Sequence, residues 1–235
     1  MKIAFAGCSF TWGDELENPE EQRFSRLVCN KLGAEEINVS RCGWSNDLIL
    51  HKFLKYCTST EGAFQGCGKP DVAVIQWTTI SRWQIWDDSQ NDWESIIIQM
   101  AGKKLPPKTK NVRNNPKRWN AFMYYRHVYS DQHGIENYWK NIYLAEQYCK
   151  DNDIKLIMMN NPTDKPTIDY VSPYQSLCKN KIHYIKAGIL PYSNKMKPDE
   201  LKEYYMEKTH PSPKGHQMIA DYVEEQIQLL NRGNS

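Results

Sequence analysis

The sequence has no apolar run long enough to cross a bilayer and no large excess of charge of either sign. Apolar stretches such as Ile96–Ile98 and Leu156–Met159 are far shorter than the roughly 20 residues of a transmembrane helix. The formal net charge is +2 over 235 residues, and the mean hydropathy is −0.73. These values predict a globular chain with no overall attraction to nucleic acid or to a membrane surface.

The seven cysteines lack the short paired spacings of a disulfide framework or a zinc site. Cys57 and Cys67, with His51 nearby, come closest to a metal-binding set, but they have no CxxC-type spacing. We therefore expect free thiols, no metal and no other cofactor. Only seven residues precede Cys8, too few for a lipoprotein signal with its apolar stretch of about 7–15 residues. We accordingly expect a cytoplasmic protein without a signal peptide.

Short strands alternate with amphipathic helices along the chain. Ser45 and Ser212 stand where N-caps of the second and last helices are expected, and Pro213 follows at the first helical position. The alternation predicts one α/β domain over residues 1–235, with a parallel sheet covered by helices on both faces. The predicted strands are Lys2–Ala6, Glu36–Val39, Asp71–Trp77, Ile154–Met159 and His183–Ala187, and the predicted helices are Glu20–Leu32, Ser45–Cys57, Ile135–Lys150 and Pro213–Leu230.

One stretch, from Arg82 to His133, shows no clean strand–helix pattern and follows the third predicted strand. It is rich in aromatic residues, and no acidic residue occurs between Glu94 and Asp131. An insertion there would lie near the carboxyl ends of the strands, where open α/β sheets keep their binding sites. Two interpretations remain open: a basic loop, residues 103–118, that binds an anionic polymer through charge and stacking, or a solvated loop with its tryptophans packed inward. The basic residues between Glu94 and Asp131 are Lys103, Lys104, Lys108, Lys110, Arg113, Lys117, Arg118 and Arg126.

A serine directly follows the first strand, in Gly7-Cys8-Ser9-Phe10-Thr11-Trp12-Gly13. The segment is not GxGxxG, which excludes a dinucleotide-binding turn. On a tight strand–helix turn, the Ser9 hydroxyl can reach a substrate carbonyl, and backbone N–H groups can supply part of an oxyanion hole. A serine that merely caps a helix is the alternative.

A histidine precedes the last helix, in Glu207-Lys208-Thr209-His210-Pro211. A neutral imidazole at that position could accept the Ser9 proton, and Glu207 could hold the other ring nitrogen. An ordinary surface-loop histidine is the alternative.

These blocks, in this order, resemble those of the SGNH (GDSL-like) hydrolase family. The first block is like GDSxxxG, with Ser9 matching the nucleophile. The second, Asn38–Gly43, offers Gly43 as the oxyanion glycine. The last is like DxxHP, with His210 as base and Glu207 in place of the aspartate. The resemblance implies a three-layer α/β/α fold with a parallel, flavodoxin-like sheet and the insertion at about residues 82–133.

The third block, GxND in the family, is poorly kept and reads Gln76-Trp77-Thr78-Thr79 here. The missing asparagine would be an oxyanion donor, and losing one such donor costs about 10²–10³ in rate. Thr79, Thr78 or Asn46 could donate instead, although Asn46 could also be an ordinary first-turn helix residue.

The resemblance implies a serine esterase that hydrolyses or transfers an acyl group. An O-acetyl ester on a carbohydrate-like substrate is the preferred class, because the aromatic side chains of the insertion suit stacking on sugar rings and no apolar lid typical of a lipase is evident. The alternative is a catalytically degenerate SGNH scaffold that binds an anionic polymer, since fold does not imply function.

Overall fold

The computed structural model describes residues 1–59, 68–88, 90–97, 116–160, 171–179, 199, 202–207 and 210–232. Its strands are β1 (Lys2–Ala6), β2 (Glu35–Asn38), β3 (Val72–Trp77), β4 (Trp83–Asp87), β5 (Asp92–Ile96) and β6 (Lys155–Asn160). Its helices are α1 (Ser9–Trp12), α2 (Pro19–Gln22), α3 (Phe24–Leu32), α4 (Asn46–Thr58), α5 (Pro116–His127), α6 (Asp131–Asp151), α7 (Pro173–Leu177) and α8 (Pro213–Arg232), with a 3₁₀ turn at Lys202–Tyr204.

Four strands form a parallel sheet in the order β2-β1-β3-β6. Every residue of β3 is buried, as expected for a central strand covered on both faces. This order confirms the predicted flavodoxin-like arrangement. Because the strands are parallel, the loops that follow β1, β2 and β3 all begin at the carboxyl edge of the sheet. The predicted strand His183–Ala187 lies outside the described residues.

Helices cover both faces of this sheet. The ring of Phe5 on β1 packs edge-to-face on Phe24 of α3 at 5.8 Å, and α3 packs against α8. Trp77 on β3 packs on Tyr138 of α6 at 6.5 Å, and α6 packs against α4. Phe5 pairs with Val74, three residues before Trp77, so Phe5 and Trp77 point to opposite faces. The three-layer architecture is therefore confirmed.

The predicted helix Glu20–Leu32 is two helices, separated at Arg23. The backbone of Arg23 is extended, with φ −67° and ψ 145°, and its guanidinium donates to Glu36 on β2 at 2.8 and 3.1 Å. The N-caps are as predicted: Ser45 Oγ accepts from Leu48 N at 3.3 Å, and Ser212 Oγ accepts from Gly215 N at 3.2 Å.

The stretch from Arg82 to His133 does contain regular structure, contrary to expectation. Strands β4 and β5 form an antiparallel hairpin, stabilised by the cross-strand ring pair Trp86–Trp93 at 5.5 Å. Helix α5 follows, and its Tyr124 stacks on Trp83 at 5.5 Å. Three tryptophans of the stretch, Trp83, Trp86 and Trp93, therefore pack against other aromatic rings within it. The side chains of the basic residues from 103 to 118 lie outside what the structure describes, so anionic-polymer binding stays a prediction.

Candidate active site

Ser9 begins the one-turn helix α1 directly after the Gly7–Cys8 turn, and its side chain is nearly buried. The turn is tight: a Cβ on Gly7 would lie 2.1 Å from Thr11 Oγ1, the atom that donates to Gln76 Oε1 at 2.6 Å. Gly13, with φ 88°, ends the helix in the left-handed conformation that glycine adopts at low cost. The short helix therefore holds Ser9 at the carboxyl edge of the sheet.

A buried polar network supports this turn from beneath. The Asn38 side chain donates to the Thr11 carbonyl at 3.1 Å and to Ser25 Oγ at 3.0 Å. Ser25 in turn donates to Glu36, whose side chain is 1% exposed and is paired with Arg23 and Arg26. Because the Glu36 carboxylate is paired and the polar side chains of the network hydrogen-bond to one another, the scaffold beneath Ser9 is fixed before any ligand binds.

The structure brings His210 to Ser9, although 201 positions separate them in the chain. Nε2 of His210 is 3.0 Å from Ser9 Oγ. Two backbone hydrogen bonds hold the loop: Met206 N donates to the His210 carbonyl at 2.7 Å, and Ser212 N to the Tyr204 carbonyl at 2.8 Å. The ring of Phe10 lies 4.9 Å from the imidazole. This geometry lets the imidazole accept the hydroxyl proton.

The carboxylate on the other ring nitrogen belongs to Glu15, which corrects the expectation for Glu207. Oε2 of Glu15 lies 2.6 Å from Nδ1 of His210, and the Glu15 side chain is only 11% exposed. Glu207 is exposed, in a turn within the loop that the Met206–His210 hydrogen bond closes. The carboxylate beside Nδ1 thus comes from the loop after Ser9 and not from the position three residues before His210.

Glu15 reaches this position through an unusual backbone conformation. Its φ is 70°, in the left-handed region that non-glycine residues seldom occupy and that costs about 1–3 kcal/mol. The preceding residue, Asp14, places Oδ2 3.7 Å from Nε2 of His210, but its side chain is 44% exposed. The reversal at Gly13 therefore puts one buried and one exposed carboxylate beside the same imidazole.

The four predicted oxyanion donors fall into different environments. Asn46 is buried: its amide donates to the Thr78 and Thr79 carbonyls at 3.2 and 3.3 Å and accepts from Thr78 N at 2.7 Å. Asn46 therefore fixes the loop after β3. Thr78 Oγ1 is buried and without a hydrogen-bond partner among the described residues. Thr79 Oγ1 is 3.3 Å from Ser81 Oγ.

Gly43 is the candidate with open space in front of it. Its φ is 81°, and no heavy atom lies within 4 Å of where a Cβ would stand. Its N–H and that of Ser9 form no hydrogen bond with any residue in the described ranges. Desolvation, and after it the nearby Asp14 carboxylate, raises the pKa of the neighbouring Cys42 thiol to about 11. The Cys42 thiol is therefore neutral, and the carboxylate that acts on it is the one that lies 3.7 Å from His210 Nε2.

A pocket of about 200 Å³ opens beside this loop, between residues 41–44 and strand β5. Sequence reasoning missed both this pocket and Glu15. The acidic pair Asp14-Glu15 just after Gly13 was the visible signal for the latter. The pocket is lined by Arg41, Cys42, Gly43, Trp44, Leu48, Trp93, Glu94 and Ser95.

No group of His, Cys, Asp or Glu side chains within the described ranges is arranged to hold a metal ion. None of the helices described is long and apolar enough to span a membrane.

No protein-family model matches this chain, and no curated protein matches it in sequence. Solved structures do match. A lipolytic protein of the G-D-S-L family from Desulfitobacterium hafniense superimposes with a TM-score of 0.50 at 14% identity, over 95% of this chain and 98% of that one. An acetyl xylan esterase gives 0.51 at 13% identity, over 97% and 100%. A carbohydrate esterase whose active site displays divergent catalytic and non-catalytic binding functions gives 0.52 at 16%, over 97% and 68%.

At these identities the likeness establishes the fold. The chain has the α/β fold that GDSL-type lipolytic proteins and carbohydrate esterases share, as the resemblance of its sequence blocks implied.

Proposed function

We propose that this protein is a serine esterase of the SGNH type, with Ser9 as nucleophile, His210 as general base and Glu15 as the acid that orients it. The continuous relay from Ser9 Oγ through the imidazole to the Glu15 carboxylate, at 3.0 and 2.6 Å, is the observation that supports the proposal. A fold shared with esterases is consistent with it but does not carry it.

In the first half-reaction, Ser9 Oγ attacks the ester carbonyl carbon while His210 Nε2 takes the hydroxyl proton. Glu15 accepts from Nδ1–H and stabilises the imidazolium that forms. The tetrahedral intermediate then collapses: the carbon–oxygen bond to the alcohol breaks, and Nε2–H protonates the departing oxygen. An acyl-Ser9 ester remains. A water molecule, deprotonated by Nε2, releases the carboxylic acid and restores the serine; an acceptor alcohol in place of water would give acyl transfer.

The oxyanion of that intermediate needs donors at the serine turn. We assign this role to the backbone N–H groups of Ser9 and Gly43, which make no other hydrogen bond with the described residues. Asn46 contributes indirectly, because its side chain holds the Thr78–Thr79 backbone in place. Thr79 remains the proposed side-chain donor of the third block, since it is only partly buried, whereas Thr78 is buried.

For the substrate we propose an O-acetyl or similar short acyl ester on a carbohydrate. Two relatives in fold are carbohydrate esterases, one of them an acetyl xylan esterase. The shared chemistry is an ester whose alcohol is a sugar hydroxyl.

Two measurements test this proposal: covalent labelling of Ser9, and ester hydrolysis by variants of Ser9 and His210. A fluorophosphonate probe should label Ser9, and Ser9→Ala and His210→Ala should each lower hydrolysis of p-nitrophenyl acetate by about 10³-fold or more. The double variant should be little worse than either single one, because the two residues act as a unit. The exposed residues Ser176 and His127 give matched controls, Ser176→Ala and His127→Ala, that should retain activity.

A second candidate is a binding module on a catalytically inactive scaffold. It is favoured by the third block, where no asparagine is present and the Asn46 amide is committed to backbone carbonyls. Absence of labelling at Ser9 in a folded protein that still binds polysaccharide would support this candidate over the esterase.

A further inference from the structure

The pocket between residues 41–44 and strand β5 has fixed walls. Ser45 N donates to the buried Ser95 Oγ at 2.7 Å, and Arg82 Nη1 donates to the Trp44 carbonyl at 3.1 Å. Below them, Lys52 forms an ion pair with Asp92 at 2.6 Å. These contacts tie the Gly43 loop and helix α4 to the hairpin, so the pocket is formed before a ligand arrives.

The pocket adjoins the reacting groups. Gly43, whose N–H is proposed to bind the oxyanion, lines it, and Cys42 beside it is near enough to the Asp14 carboxylate for that charge to raise the pKa of its thiol. Asp14 in turn lies 3.7 Å from His210 Nε2, the nitrogen that faces Ser9. A group bound in the pocket would therefore lie next to an ester held at Ser9.

The lining defines the chemistry of the ligand. Two tryptophans, Trp44 and Trp93, are among the lining residues, and an indole face suits the apolar C–H face of a sugar ring. The side chains of Arg41, Glu94 and Ser95, also in the lining, are of types that can bond hydroxyl groups. Leu48 is the single aliphatic residue among the eight that line it, which does not suit a fatty acyl chain. Arg41 and Glu94 carry opposite charges, so the pocket favours a neutral ligand.

The size limits the ligand further. At about 200 Å³, the pocket is smaller than the roughly 300–1,000 Å³ of sites for drug-sized molecules. One pyranose ring is the unit that fits. We infer that this pocket is the subsite for the neutral sugar ring that carries the ester, with Trp93 of the β4–β5 hairpin as a specificity-determining residue. The inference rests on the proposed esterase function for its catalytic consequence, but not for binding itself.

The first experiment compares two esters. Trp93→Ala should lower kcat/KM for acetylated xylobiose by about tenfold, mainly by raising KM, and should leave p-nitrophenyl acetate within about twofold. Trp93→Phe, which keeps an aromatic face, should restore most of the loss. The matched control is Trp119→Ala, because Trp119 is an exposed tryptophan of α5 that does not line the pocket.

The second experiment separates binding from catalysis. Binding of xylobiose is measured by calorimetric titration of two proteins, the Ser9→Ala variant and the Ser9→Ala/Trp93→Ala double variant. Saturable binding that weakens about tenfold on loss of Trp93 supports the subsite, even if no esterase activity is found and the proposed function fails.

Three results would overturn the inference: no xylobiose binding, binding that is indifferent to Trp93, or equal losses on both esters. In the last case Trp93 would only support the fold of the Gly43 loop. Any of these can occur while Ser9 and His210 still hydrolyse p-nitrophenyl acetate, so this failure is distinguishable from that of the proposed function.

Discussion

Replacing Glu15 by glutamine tests the orienting acid most directly. The substitution keeps the size of the side chain and an oxygen that can still accept from Nδ1 of His210, but it removes the negative charge 2.6 Å from that nitrogen. The charge matters when Nε2 takes the Ser9 proton and the ring becomes an imidazolium. The expected loss is therefore in kcat and not in KM.

The magnitude follows from the burial of the pair. Glu15 and His210 side chains are 11% and 16% exposed, so an effective dielectric constant of about 20 applies, and unit charges about 4 Å apart then interact by about 4 kcal/mol. At about 1.36 kcal/mol per tenfold, Glu15→Gln should lower kcat by about three orders of magnitude. Asp14→Asn should cost less than about tenfold, because its 44% exposed carboxylate is screened by water.

The assay is steady-state hydrolysis of p-nitrophenyl acetate by wild type, Glu15→Gln, Asp14→Asn and Glu207→Gln, each shown to be folded by circular dichroism and thermal melting. Glu207 is exposed and is not the carboxylate on Nδ1, so Glu207→Gln should resemble wild type. A Glu15→Gln protein with activity within tenfold of wild type would contradict the role proposed for Glu15, as would a Glu207→Gln protein that loses as much activity as Glu15→Gln.

Three further predictions concern stability, each measured by urea unfolding. Gly7→Ala would place a methyl group 2.1 Å from Thr11 Oγ1 and should destabilise the fold by about 1–3 kcal/mol or more; a neutral result would mean that the turn can widen. Asn46→Ala leaves buried Thr78 backbone groups unpaired and should cost about 2–4 kcal/mol; a cost below about 0.5 kcal/mol would contradict this. Burial lowers the pKa of His216 to about 3, so below pH 6.5 the unfolded chain binds a proton that the folded protein does not. The free energy of unfolding should therefore fall by up to about 1.4 kcal/mol per pH unit from pH 6.5 toward 3. If its pH dependence were unchanged in His216→Gln, His216 would not be the group responsible.

The sheet and its core were predictable because their signals are local. Val72–Trp77 is a continuous run of buried residues, and Ser45 and Ser212 mark helix starts by a hydrogen bond that reaches only three residues along the chain. The break at Arg23 was not predictable from helical periodicity. It depends on Glu36, thirteen residues away, which draws the guanidinium toward β2.

The hairpin β4–β5 was missed for a related reason. Its strands are five residues long and partly exposed, so neither shows the apolar run by which buried strands are recognised. The two strands are stabilised by pairing with each other, which places Trp86 opposite Trp93. These two residues are neighbours only in the folded hairpin, so their contact leaves no periodic pattern in the sequence. The pocket beside Gly43 depends on the same pairing, since it presents Trp93 and Glu94.

Glu207 was predicted in place of Glu15 because two loops each carry a carboxylate close to Nδ1 of His210 in the chain's topology. The Gly13–Glu15 segment and the loop before His210 meet at the same edge of the sheet, and each carries a carboxylate within reach of the imidazole by chain length alone. Which one arrives is decided by backbone conformation: φ of 70° turns Glu15 inward, while the Met206–His210 hydrogen bond closes a loop in which Glu207 is exposed. The strain at Glu15 is offset by its 2.6 Å bond to His210. If that bond is what retains the conformation, Glu15→Gly should relax the loop without losing stability while removing the negative charge beside Nδ1 of His210.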